Sequence, residues 1–339
     1  MPVPVPIPNQ IAPFHESLTA MDLFSELNDR LLFAVPKKGR LHEVCLEFLA
    51  GADIQFHRKP RHDIALVKNL PMALVFLPAA DIAKYVGRGG VDLGITGRDI
   101  IAESGYDATS STVTEGDGKT GDIREVLPLH FGRCRLMVQT PIRSGIADPR
   151  DLIGKRVVTS FEGLAQTYFR RLEAEQAGVP LAEYTAPLRT TIEFVSGSVE
   201  AACALGLADG IVDLVESGET MRAAGLQAIA TIVESEAVLI ANQRSRFPDL
   251  VAKIHARIEG VIASRKYVYI NYNVERGLLD QAKVITPGRL APTVNALIDS
   301  DGVAVSAMVL TADVAEVMDQ LKAIGATDVM VFNISNCRV

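Results

Sequence analysis

The sequence predicts an α/β protein in which two helix-covered sheets precede a small terminal unit of βαββαβ order. Three observations predict it. Short apolar runs such as LLFAV (31–35), ALVFL (73–77) and VDLGITG (91–97) alternate with helical stretches, the pattern of strands buried under helices. The pattern pauses at DATSSTVTEGDGKTGD (107–122), a polar, glycine-rich stretch that reads as a surface loop or hinge, and then restarts. From about residue 265 the order changes to strand, helix, two strands, helix, strand, the ferredoxin-like arrangement.

Composition bounds the function. A chain of 339 residues is too long for one ordinary core, so two or three domains are expected. Hydrophobic residues make up 48% and charged ones 22%, which suits a globular protein and not a disordered one. No run of about 18 uncharged apolar residues is present, so nothing is expected to span a membrane. A net charge of −7 argues against general nucleic-acid binding, so any anion must be held by local groups. Four scattered cysteines without a CxxC pair fit reduced thiols and a cytoplasmic location. The six histidines show no metal-ligand spacing.

The elements follow in order. MPVPVPIPNQ lacks a basic start and its prolines break any helix, so residues 1–21 read as a flexible tail and not as an export signal. LTAMDLFSELNDR (18–30) reads as a short helix, and LLFAV as a buried strand. After the turn PKKGR, the residues Leu41, Val44, Cys45, Phe48 and Leu49 share one helical face, and Gly51 ends it. DIALV, ALVFL and VDLGITG add strands, with DIAKYV helical between the last two. Beyond the hinge come RLMVQ and KRVVTS, a helix from about Glu162, and a strand at 192–195 that meets the small-residue turn SGS before another helix.

Residues 213–226 read DLVESGETMRAAGL. The apolar Ile211 and Val212 suit a buried strand, while Met221, Ala223, Ala224 and Leu226 continue as a helix, so the polar turn lies between strand end and helix start. Two readings fit. Ser217 caps the helix, with Glu219 helped by its dipole; or the turn offers backbone N–H groups to a phosphate or carboxylate. Three such strand–turn–helix loops, PKKGR, SGSVE and ESGET, in an acidic protein suggest a ligand bearing several phosphates.

In the terminal part KYVYINYNV is a strand, RGLLDQAKVI a short helix, APTVNALI a strand ending at DSDG, and VAVSAMVL a strand. A helix then carries Val314, Val317, Met318, Leu321 and Ile324 on one face, stopped by Gly325, and DVMVFNIS closes the chain. The expected division is a first lobe of residues 22–126 with 237–264, a second of 127–236, and a terminal domain of 265–339.

PKKGRL, VDLGITG, FGRCRL, VSGSVE, ADGIVDLVESGETMRAAGL, ITPGRLAPTV and GATDVMVFNISNCRV, in this order, resemble ATP phosphoribosyltransferase in its long form, the first enzyme of histidine biosynthesis. The likeness runs from about residue 31 to the end. It implies two lobes like those of periplasmic solute-binding proteins, with ligand between them, and a C-terminal regulatory domain. It implies transfer of the phosphoribosyl group of phosphoribosyl pyrophosphate to N1 of ATP, with Mg²⁺ as cofactor held mainly by the substrate. By resemblance Glu216, Ser217, Gly218, Glu219 and Thr220 wrap the 5-phosphate, and Asp213 holds the ribose. Val212 stands where the commoner phosphoribosyltransferase loop has a first acid. Lys37, Gly39 and Arg40, with Asp92 nearby, would contact ATP. An exposed arginine at a helix start opposes the dipole, so Arg40 is expected to serve ATP more than folding. Histidine, as inhibitor, would bind near Asn273, Arg289, Ala291 and Thr293, with Met308 and Asp328, in a dimer or hexamer. No nucleophile is needed, because adenine N1 brings its own lone pair. Two other readings remain, a two-lobed binding protein and a nucleotide sensor without turnover.

Overall fold

The computed structural model describes residues 26–105 and 123–338. The tail at 1–21, most of the helix expected at 18–30 and the loop at 107–122 lie outside them. The chain first lays down β1 (Leu31–Pro36), α1 (His42–Gly51), β2 (Ile64–Leu66), β3 (Met72–Leu77), α2 (Ala79–Gly87), β4 (Leu93–Gly97), α3 (Arg98–Glu103) and β5 (Ile123–Pro128). It then crosses to β6 (Cys134–Pro141), β7 (Arg156–Thr159), α4 (Glu162–Ala177), β8 (Thr191–Phe194), α5 (Glu200–Ala204), β9 (Gly210–Val215), α6 (Glu219–Ala223) and β10 (Leu226–Ser235). β11 (Ala237–Asn242) returns to the first sheet, and α7 (Pro248–Lys266) leads into β12 (Tyr267–Glu275), α8 (Leu279–Ile285), β13 (Thr293–Ala296), β14 (Gly302–Leu310), α9 (Val314–Ala323) and β15 (Thr327–Asn333).

Three sheets result, one to each part of the fold: β2-β3-β1-β4-β11-β5, β10-β6-β9-β7-β8 and β13-β14-β12-β15. In the first, β1 runs parallel to β3 and β4, while β11 enters antiparallel between β4 and β5. Strands buried on both faces need continuous apolar sequence. β1 supplies it: Leu31, Phe33 and Val35 pack with Phe48, Leu49, Ile254 and Ile258 on one side, and Ala34 with Ile82 and Val86 on the other. In the second sheet β9 lies between β6 and β7, parallel to β7, and Val157, Phe169 and Val212 form the core. The two sheets are joined where β5 passes to β6 and β10 to β11, which makes residues 129–133 and Glu236 the two crossings.

Periodicity did not single out β5, β10 or β11. β10 is bulged against β6 at two places, between Ala228 and Ala230 and between Thr231 and Val233, and each bulge breaks the period-two signal of a half-buried strand. In the terminal domain the helices cover one face, with Leu321 of α9 packed in a core with Ile270, Tyr272, Val303 and Val305 of the sheet. APTVNALI forms hydrogen-bonded strand only over Thr293–Ala296, where Thr293 pairs with Ser306, and RGLLDQAKVI becomes α-helical from Leu279. Among the described residues no helix is long and apolar enough to cross a membrane, and all four cysteines are free.

Candidate active site

PKKGR leaves the C-terminal end of β1. Gly39 adopts φ 91°, a left-handed turn that lets its carbonyl accept from the His42 N–H at 3.0 Å and so start α1. Lys37 turns to Asp63, Nζ lying 2.8 Å from Oδ1, and Arg58 approaches the same carboxylate at 3.5 Å. The hydrogen bond from Lys37 holds Asp63 below its ordinary pKa.

ESGET leaves the C-terminal end of β9. Gly218 at φ 76° reverses the chain into α6, and Ser217 Oγ accepts from the Glu219 N–H at 3.3 Å. The N–H groups of Ser217, Gly218 and Thr220 meet no acceptor among the described residues. These fixed donors can receive a doubly charged phosphate without reorganising. Within β9, two residues before its end, Asp213 is partly buried, and burial raises its pKa although the Leu214 N–H donates to Oδ1 at 2.8 Å. A carboxylate so placed gains by accepting from hydroxyl groups, which would restore the solvation it has lost.

Arg40 joins the two loops. Its Nε lies 3.6 Å from Glu216 Oε1 of the second sheet's loop, its Nη1 donates to the Gly132 carbonyl at a crossing, and its Nη2 lies 3.7 Å from Asp99 Oδ2. Asp99 is 1% exposed; its Oδ1 accepts from Ser235 Oγ at 2.6 Å, whereas Oδ2 has no hydrogen-bond partner. A side chain on Gly97 would collide with Asp99 Oδ1, so the glycine before α3 is needed for this carboxylate to fold back. Beside it Arg98 bonds Glu125 at 2.6 and 3.0 Å and Glu236 at 2.9 Å, a cluster that ties β5 to the crossing at Glu236. Glu103 of α3 reaches the second lobe as well, accepting from the N–H groups of Gly163 and Leu164 at 2.8 and 2.9 Å and so capping α4. Asp99, Glu103, Ser235 and Glu236 escape a reading by motif because their partners are distant in sequence. For Asp99 the signal available is its place in the first helical turn after GITG.

Asp92 does not join this group. Expected beside Lys37 and Arg40, it lies at the opposite end of the sheet, where Oδ2 accepts from the Leu32 N–H at 2.9 Å and Oδ1 from Ser245 Oγ at 2.7 Å. β1 and β4 run parallel, so a residue preceding β4 stands level with the start of β1, and Lys37 follows its end. SGSVE leaves the same edge of the sheet as ESGET with β7 between their strands, and its Glu200 carboxylate adds to the burial that raises the pKa of Asp213.

On the terminal sheet, Asn273 Nδ2 donates to Asp328 Oδ2 at 2.9 Å, and Thr293 and Met308 lie across from Ser306 and Tyr269. All are on or beside the face away from the helices, where Tyr269, Met330 and Phe332 are exposed. Arg289 and Ala291 lie in the segment between α8 and β13.

The family profile described as ATP phosphoribosyltransferase matches residues 78–260, and that of its C-terminal domain matches 264–336. The ATP phosphoribosyltransferase of Yarrowia lipolytica is 55% identical over 319 residues, 94% of this chain and 100% of that protein. The Saccharomyces cerevisiae enzyme is 49% identical over 320 residues, again 94% of this chain and all of the relative. Among solved structures, a chain of the ATP phosphoribosyl transferase complex of Thermotoga maritima superposes with TM-score 0.53 at 23% identity, over 68% of this chain and 97% of that one. The likeness to it is one of fold. Similarity over the full length of its relatives, on the frame of lobes and loops described above, makes this chain a member of the ATP phosphoribosyltransferase family.

Proposed function

We propose that the chain joins the ribose 5-phosphate of phosphoribosyl pyrophosphate to N1 of ATP in the cleft between the two lobes, as the first step of histidine biosynthesis. The observation that carries this reading is the approach of Arg40 to Glu216, which puts the loop of one lobe against the phosphate-type loop of the other. ESGET takes the 5-phosphate through its backbone N–H groups and the hydroxyls of Ser217 and Thr220. Asp213 accepts from the ribose hydroxyls. Lys37, Gly39 and Arg40 meet ATP.

As the adenine N1 lone pair forms its bond to the anomeric carbon, the bond from that carbon to the pyrophosphate oxygen breaks and the electron pair leaves with pyrophosphate. Catalysis comes from alignment and from cations facing the leaving group. Mg²⁺ would neutralise pyrophosphate charge. No cluster of three His, Cys, Asp or Glu able to hold a metal occurs among the described residues. In this reading the ion rides on substrate phosphates, with Asp213 and Glu216 as the protein carboxylates that would meet it. The deciding experiment mixes protein, ATP, phosphoribosyl pyrophosphate and Mg²⁺ with pyrophosphatase and reads phosphoribosyl-ATP by mass. Binding of both ligands without that product leaves a two-lobed binding protein instead.

The terminal domain, residues 265–339, is the regulatory module in this reading. Histidine binds at the helix-free face through Asn273, Arg289, Ala291, Thr293, Met308 and Asp328, and the exposed Tyr269, Met330 and Phe332 meet other copies in a dimer or hexamer. An Asn273→Ala, Thr293→Val double variant should keep its initial rate while half-inhibition needs about five to a hundred times more histidine. Superimposable inhibition curves for the two proteins would remove this face from the site.

A further inference from the structure

A cavity of about 530 Å³ opens where β1 and β4 begin and β11 ends, opposite the cleft, walled by Arg30, Arg88, Arg244 and Arg246, the turn Gly87–Gly90 and Asp92. Four guanidinium groups around one opening are unexpected in a chain of net charge −7. The wall is built with care. Asn242, 8% exposed, donates to the Val86 carbonyl at 2.7 Å and accepts from the Arg244 N–H at 2.8 Å, which ties the turn after α2 to the loop after β11. Ser245 Oγ donates to Asp92 and accepts from the Phe247 N–H at 3.2 Å, holding the same loop from its other end. Both Asp92 oxygens are engaged by Leu32 and Ser245, so this acid serves to fix the backbone more than to pair with an arginine. Glu26 approaches Arg30 only at 3.9 Å, and Arg246 donates to the Asn28 carbonyl at 3.0 Å. Arg88, at the end of α2, is exposed.

We propose that this cavity is a second anion site, one that takes the phosphate chain of a nucleotide-sized ligand. Guanidinium groups match phosphate oxygens in charge and geometry, four arginines line this one cavity, and its volume is in the range of small-ligand pockets. The six residues of β1 separate it from the PKKGR turn by roughly 20 Å, so one ligand does not span both places. Occupancy here therefore takes a ligand separate from any in the substrate cleft.

The test is equilibrium dialysis of the full chain against ATP and against inorganic tripolyphosphate, at about 0.15 M salt, where diffuse attraction is largely screened. Two classes of site per chain are expected for ATP. In an Arg88→Glu, Arg246→Glu variant one class should weaken about a hundredfold, a factor of about ten for each charge-assisted contact, while the rate at saturating substrates is unchanged. Thr220→Val should leave that class intact, so the site stands or falls separately from the proposed activity. If the double variant lacks a cooperative melt, Arg88→Ala alone should weaken the class about tenfold. ATP binding tighter than tripolyphosphate supports a nucleotide, and equal binding supports the phosphate chain itself. A single class of site overturns the proposal, as do two classes that both survive the substitutions, binding seen only at low salt, or a change of oligomeric state in place of a change in binding.

Discussion

PKKGR on the first sheet and ESGET on the second face each other across one cleft, but they hold their charge in different ways. Two of the three cations of the first are already paired, Lys37 with Asp63 and Arg40 with Asp99 and Glu216, while Lys38 is exposed. The second offers the backbone N–H groups of Ser217, Gly218 and Thr220, which meet no acceptor among the described residues. An acidic protein surrounds its own lysines and arginines with carboxylates, whereas amides fixed by a turn keep their direction and carry no mobile charge to be screened. A phosphate can therefore enter ESGET without breaking existing bonds, and at PKKGR it has to compete with Asp63 and Glu216.

The largest effect should come from the unscreened loop. Thr220→Val removes a hydroxyl donor and should lower kcat/KM for phosphoribosyl pyrophosphate by about 1.5–3 kcal/mol, with the KM for ATP little changed. Steady-state kinetics with each substrate varied decides it, and equal parameters for variant and wild type would take the loop out of the cleft.

Arg40→Ala comes next and breaks the other side of the comparison. Sequence reasoning gives this arginine little part in folding, but it faces a buried carboxylate oxygen that has no other partner. Removing it should cost about 1–2 kcal/mol of stability, less than a fully buried pair because Arg40 is partly exposed. Adding Asp99→Asn should recover most of the loss by discharging the orphaned acid. Denaturant melts of the single and double variants measure this, and two losses that simply add would show that the pair is not coupled.

The smallest effect is that of Asp213→Asn. Burial raises the pKa of Asp213, so its contribution to stability is full below the ordinary aspartate pKa and is lost as pH rises through the raised value. The amide should therefore be the more stable form at neutral pH, with the advantage vanishing in acid, and it should weaken use of phosphoribosyl pyrophosphate. Thermal melts from pH 3 to 8 test the sign; an advantage that grows in acid would mean that Asp213 is held ionised by a favourable contact.

The ordered motifs and the alternation of buried strands with amphipathic helices were enough to give the two lobes and the terminal βαββαβ domain, because these depend on local periodicity and local turn chemistry. ESGET was legible for the same reason: Gly218 and the hydroxyl residues around it act within five positions. β10 was not, since its bulges are set by the strand beside it. Sequence alone thus determined which strands end in polar, glycine-containing turns. Only the tertiary structure decided which turns meet. Parallel pairing of β1 and β4 sent Asp92 to the far end of the sheet, and the return of β11 brought Ser235 to Asp99 and, through it, a buried carboxylate to Arg40. Those contacts span from 59 positions, between Arg40 and Asp99, to 136, between Asp99 and Ser235, and no local rule of propensity or spacing reaches so far.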